Sequence, residues 1–142
     1  MYSCDPERIY SFLAPSRHLV GKDSISQVGA EVKALGGRKA LIVTDPGVIK
    51  AGLHSAVIEP LEKNGVEARV YDGVEAEPPA RVVDDAVTEA RAGQYDIIIG
   101  IGGGSSLDAA KGVAIMCGNE GQILDYAGLN ICGRSKAHTR AK

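Results

Sequence analysis

The sequence predicts an α/β protein, one domain built on a mostly parallel sheet flanked by helices on both faces. Three observations predict it. Short apolar runs rich in β-branched residues occur at 39–45, 66–73 and 95–102. Segments with helical apolar spacing lie between them, and glycine, asparagine or proline punctuates nearly every junction. Such alternation is how strands joined by crossover helices are written in a chain.

Each element follows in order. Residues 24–35 are predicted to be a helix: Ser24 and Gln27 have capping-box spacing, Ile25, Val28, Val32 and Leu35 form a stripe, and Gly36-Gly37 supplies the stop. "KALIVTD" (39–45) is a buried parallel strand closed by Asp-Pro-Gly, which leaves Asp45 at its end. A second helix over 53–64 carries Leu53, Val57 and Leu61 and stops at Asn64-Gly65. "VEARVYDG" (66–73) alternates as a strand.

"PPARVVDDAVTEARAG" opens with prolines suited to a first helical turn and puts Val82, Val83, Ala86, Val87 and Ala90 on one face. The strand "YDIIIGIG" (95–102) then runs into the helix "SSLDAAKGVAIM". In open parallel sheets ligands gather beyond the carboxyl ends of the strands. Asp45 and residues 102–106 stand at two such ends.

The 142 residues suit one domain with a real core, and 44% hydrophobic with 24% charged residues suits a globular fold. Residues 1–130 are expected to form it and 131–142 a basic, disordered tail, with contact to an acidic partner as the alternative. The tail holds Arg134, Lys136, Arg140 and Lys142 and no acid; without those four charges the net −2 becomes −6 over the body. An acidic body argues against nucleic acid as a partner. Cys4, Cys117 and Cys132 show no C-x-x-C spacing, so the expected compartment is a reducing cytoplasm. With no apolar run of membrane-spanning length and no secretory pattern at the start, neither membrane anchoring nor export is expected.

Gly102, Gly103 and Gly104 let the backbone turn sharply and approach a ligand without Cβ obstruction. The next helix points its N-terminus into the same cleft, and its free amides and dipole attract an anion such as phosphate. A tight strand-to-helix turn with no ligand is the competing reading. Ser105 and Ser106 either cap the helix or donate to phosphate oxygens. Asp108 would repel a phosphate, so it is expected to point sideways toward a ribose or an amide. Lys111 could contact phosphate or pair with Asp108; solvation is its default. Ser105 stands where a dinucleotide fingerprint wants glycine, and the strand-end acid precedes the glycines, so the usual order fails.

"ALIVTD", "YDGVEAEPP", "DIIIGIGGGSSLDAAKGVAI" and "ILDYAGLN" together resemble the N-terminal cofactor-binding domain of the iron-containing (group III) alcohol dehydrogenases, relatives of glycerol dehydrogenase and dehydroquinate synthase. The likeness spans about residues 9–130. It implies a Rossmann-like domain and NAD as the cofactor, with Asp45 accepting from the adenosine ribose and opposing a 2′-phosphate. It matches Gly102, Gly103, Gly104, Ser105 and Asp108 to the family's cofactor motif, with the pyrophosphate at the glycine turn and Asp108 toward the nicotinamide. Where the family commonly has Asn-Pro-Thr, this chain has Glu77-Pro78-Pro79.

After Asn130 the sequence departs from the family, which continues into a helical domain whose aspartate and three histidines hold iron or zinc. His18, His54 and His138 are isolated and are expected to be surface or structural. No catalytic or metal-ligating residue is therefore assigned. The expectation is a truncated member, an NAD(H)-binding domain of an oxidoreductase whose parent reaction interconverts an alcohol with an aldehyde or ketone. The alternatives are a fragment needing its metal domain in trans and a non-catalytic nucleotide-binding or interaction module. The resemblance further implies a homodimer, and the interaction-module alternative implies association with a full-length relative. By motif similarity, small primary alcohols or diols outrank polyols and sugar phosphates as substrates.

Overall fold

A computed structural model describes residues 18–126. The expected tail at 131–142, the domain boundary at 130, Cys4, Cys132 and His138 lie outside the described residues, as do the two ends of the resemblance. Three strands, β1 (Lys39–Val43), β2 (Glu67–Tyr71) and β3 (Ile97–Gly100), form a sheet in the order β2-β1-β3. Both pairings are parallel, with Lys39 opposite Glu67 and Ala40 opposite Ile97.

β1 is central, and Ala40, Leu41, Ile42 and Val43 are all fully buried. That explains a continuous apolar run in place of an alternating one, because each side chain has a covered face to enter. Leu41 and Val43 point to one core, with α4 (Ala80–Gly93) and α5 (Gly104–Cys117) over them. Ala40 and Ile42 point to the other, roofed by α1 (Val28–Ala34) and α3 (Ser55–Lys63). Each fully buried branched side chain in these layers contributes about 1.5–3 kcal/mol. Gly29 of α1 packs directly on the Pro60 carbonyl of α3, a contact that leaves no room for a Cβ.

Several expectations need correction. The capping box does not form: Ser24–Gln27 is a 3-10 turn, and Asp23 precedes it at φ 59 without a side-chain cap. The changed rotation leaves Ile25 exposed, and Leu35, beyond the helix end, is exposed too. The second helix starts at Ser55, so Leu53 is also exposed. A short α2 (Pro46–Lys50) went unanticipated; it exists because Asp45 caps it and Pro46 occupies its first position. All three strands are shorter than their apolar runs, since ladder pairing stops before apolar character does.

Candidate functional site

The chain leaves β1 for β2 on one side of the sheet and returns for β3 on the other side of β1. This reversal places the topological switch point between β1 and β3, where a parallel α/β sheet opens a crevice at its carboxyl edge. A cleft of about 640 Å³ lies at that edge, lined by Asp45 and Pro46, residues 72–76, Arg81, and residues 103–106. Among the described residues no helix is long and apolar enough to cross a membrane.

Thr44 anchors the floor. Its amide donates to the Tyr71 carbonyl (2.9 Å), and its own carbonyl accepts from Val74 (3.2 Å). One residue on, Asp45 divides its carboxylate between two tasks. Oδ1 accepts from the amides of Gly47 (2.9 Å) and Val48 (3.1 Å), which is the turn cap that Asp-Pro-Gly suggests. Oδ2 accepts from the Ser106 hydroxyl at 2.9 Å. That hydroxyl, and after it the Val48 amide, hold the Asp45 carboxyl below its ordinary value, against the opposing effect of burial.

Gly102 lies beneath this pair with φ +133, and a Cβ there would meet Ser106 Oγ at 2.8 Å and Asp45 Oδ2 at 2.9 Å. Only glycine fits that backbone and that space. Around Gly103 and Gly104 an added Cβ would meet nothing within 4 Å, so the backbone there stands open to the cleft. Gly103 is the N-cap of α5 and no side chain caps the helix. The first-turn amides, which have no intrahelical acceptor, thus remain for a ligand.

The structure therefore brings Asp45, Gly103, Gly104, Ser105 and Ser106 to one cleft and puts Gly102 under it. Neither serine caps α5, and Ser106 is buried with its hydroxyl committed to Asp45. Asp108 does not line the cleft: it is exposed and accepts from Lys111 Nζ at 2.9 Å. Of the three readings open for Lys111, the pairing with Asp108 is the one seen, on an exposed side chain, in place of the default of solvation.

Asp72, Glu75 and Arg81 were missed as cleft residues. The missed signal was the Asp-Gly after Tyr71, where β2 ends and the backbone turns into the cleft wall. Arg81 pairs with Glu75 at 2.6 Å. Glu77 sits in the loop between β2 and α4 with φ 50. Among the described residues no three His, Cys, Asp or Glu side chains gather where a metal ion could be held. His18 and His54 belong to no such group, so the described residues do not fit a metal and no step is assigned to one.

A parallel sheet covered on both faces, with a glycine turn and a helix N-terminus opposite a strand-end carboxylate, defines a Rossmann-like domain. Residues 15–142 match the family model for iron-containing alcohol dehydrogenase, and the chain belongs to that family. It is 42% identical over 114 residues to long-chain-alcohol dehydrogenase 1 of Geobacillus thermodenitrificans, covering 80% of this chain and 28% of that protein. The solved structure of a 1,3-propanediol oxidoreductase superposes with TM-score 0.80 at 40% identity, covering 85% of this chain and 32% of that one. NADH-dependent butanol dehydrogenase A from Thermotoga maritima gives TM-score 0.75 at 34% identity, with 82% and 30% covered. The chain thus spans about 30% of the length of these relatives.

Proposed function

We propose that this chain binds NAD(H) as the cofactor-binding domain of an iron-type alcohol dehydrogenase, with residues 1–130 as the domain. The observation that carries the reading is the meeting of Asp45 and the α5 N-terminus across the β1/β3 switch point. The open backbone at Gly103 and Gly104 suits the pyrophosphate, stabilised by the helix amides and dipole. Asp45 retains acceptor capacity for a ribose hydroxyl and repels a 2′-phosphate, which favours NAD over NADP. Asp72 also lines the cleft and adds to that repulsion, while Glu75 there is paired with Arg81.

Held at Asp45 and the turn at Gly103, Gly104 and Ser105, a dinucleotide would supply hydride-transfer chemistry for the parent interconversion of an alcohol with its aldehyde or ketone. This chain's own residues bind and orient the dinucleotide. The name of the Thermotoga maritima relative, an NADH-dependent dehydrogenase, agrees with the cofactor chosen. A cytoplasmic setting and a homodimer, or pairing with a full-length relative, complete the reading.

Calorimetric titration of the purified chain with NAD⁺, NADH and NADP⁺ tests it, beside Asp45→Ser, which keeps a capping side chain and removes the charge. Saturable binding that prefers NAD(H), with the preference lost in the variant, is expected. No binding at millimolar ligand would overturn the reading and leave the motif as architecture alone.

A further inference from the structure

Ser106 is 1% exposed, and its hydroxyl donates to Asp45 Oδ2. An ionised carboxylate offers about four acceptor sites. Two are used by the Gly47 and Val48 amides on Oδ1 and one by Ser106 on Oδ2. One site on Oδ2 is left. The α2 cap fixes one oxygen and Ser106 the other, so the carboxylate cannot turn to offer more. Gly102 reserves the space in which the two side chains meet.

We propose that Ser106 is a positioning residue that acts through Asp45, holding the carboxylate so that a single acceptor site meets a ribose hydroxyl and sets the preference for a free 2′-hydroxyl over a 2′-phosphate. This rests on the dinucleotide reading above. It gives Ser106 a role different from direct contact with the pyrophosphate, because its hydroxyl proton is already donated. Preorganisation is the physical effect: a fixed acceptor loses no rotational freedom when the ribose arrives. A 2′-phosphorylated ligand has no 2′-hydroxyl to donate and brings a second anion toward the carboxylate.

The test compares the wild-type chain with Ser106→Ala and Ser106→Thr, each titrated calorimetrically with NAD⁺ and NADP⁺ and melted without ligand. Ser106→Ala is expected to weaken NAD⁺ roughly tenfold, the size of one hydrogen bond, with NADP⁺ little changed and the preference narrowed. Ser106→Thr, which keeps the hydroxyl, is expected to restore the preference.

A second readout needs no ligand: in Ser106→Ala the Asp45 carboxyl, followed by ¹³C NMR, should titrate closer to its ordinary value. Asp72 and Glu75 from the β2–α4 loop and Arg81 from α4 face the same cleft and act equally in both proteins. An unchanged preference with a lowered melting temperature would overturn the proposal, as would equal loss of both nucleotides, the mark of a pyrophosphate contact. Failure of the wild-type chain to bind either nucleotide would overturn the dinucleotide reading and this proposal with it.

Discussion

Thr44 donates its hydroxyl to the Ile101 carbonyl at 2.8 Å, tying the end of β1 to the turn that leaves β3. Thr44 is fully buried and joins the ends of all three strands. Thr44→Val keeps the shape and deletes the hydroxyl, which leaves the carbonyl without this donor. A loss of about 1–2 kcal/mol is expected, read as a lower urea midpoint with an unchanged slope.

The three glycines are not equivalent. Gly102→Ala forces a side chain onto φ +133 and against Ser106 and Asp45, so a cost of about 1–3 kcal/mol is expected, together with weaker nucleotide binding. Gly103→Ala meets open space and should change stability by less than about 0.5 kcal/mol. Its effect should appear in the titration instead, because the new methyl occupies ground a ligand would approach. Parallel melts and titrations separate the two.

Glu77 adopts φ 50, a region that asparagine tolerates better than glutamate. Glu77→Asn is expected to raise stability by about 0.5–1 kcal/mol, measurable as a higher urea midpoint. An unchanged midpoint would mean that the loop relaxes around glutamate at no cost.

Asp45 predicts a pH signature. Its folded-state carboxyl titrates below the ordinary value of 3.8, so the stabilisation it brings is present in full above that value. As pH falls through the folded value the carboxylate is protonated and that contribution is lost. Asparagine caps a helix about as well as aspartate, so Asp45→Asn isolates the charge. The urea midpoint of the wild type should exceed that of Asp45→Asn at pH about 7, and the gap should close as the pH falls below the ordinary value of 3.8. A gap of constant size would show that the charge contributes nothing.

Much of the fold was legible because burial on both faces writes itself locally. A run such as "KALIV" with no polar alternation belongs to a central strand, and Val82, Val83, Ala86, Val87 and Ala90 share one covered helix face. Helix starts were less legible. Ser24 and Gln27 have the right spacing, yet a 3-10 turn uses those residues differently; Asp45 and Pro46 carried a real start signal that a turn reading absorbs equally well.

By itself, then, the sequence determined the class of this domain: a parallel sheet with helices on both faces and a glycine turn at the carboxyl edge. These features follow from periodicity, composition and motif, which are local. Only the tertiary structure decided which side chains share the cleft. Asp45 and Ser106 stand 61 residues apart and meet because the order β2-β1-β3 sets the ends of β1 and β3 side by side. The same geometry brings Asp72, Glu75 and Arg81 to the wall and leaves Asp108 with Lys111 on an exposed helix face. Strand order and helix rotation are settled by packing the whole core at once.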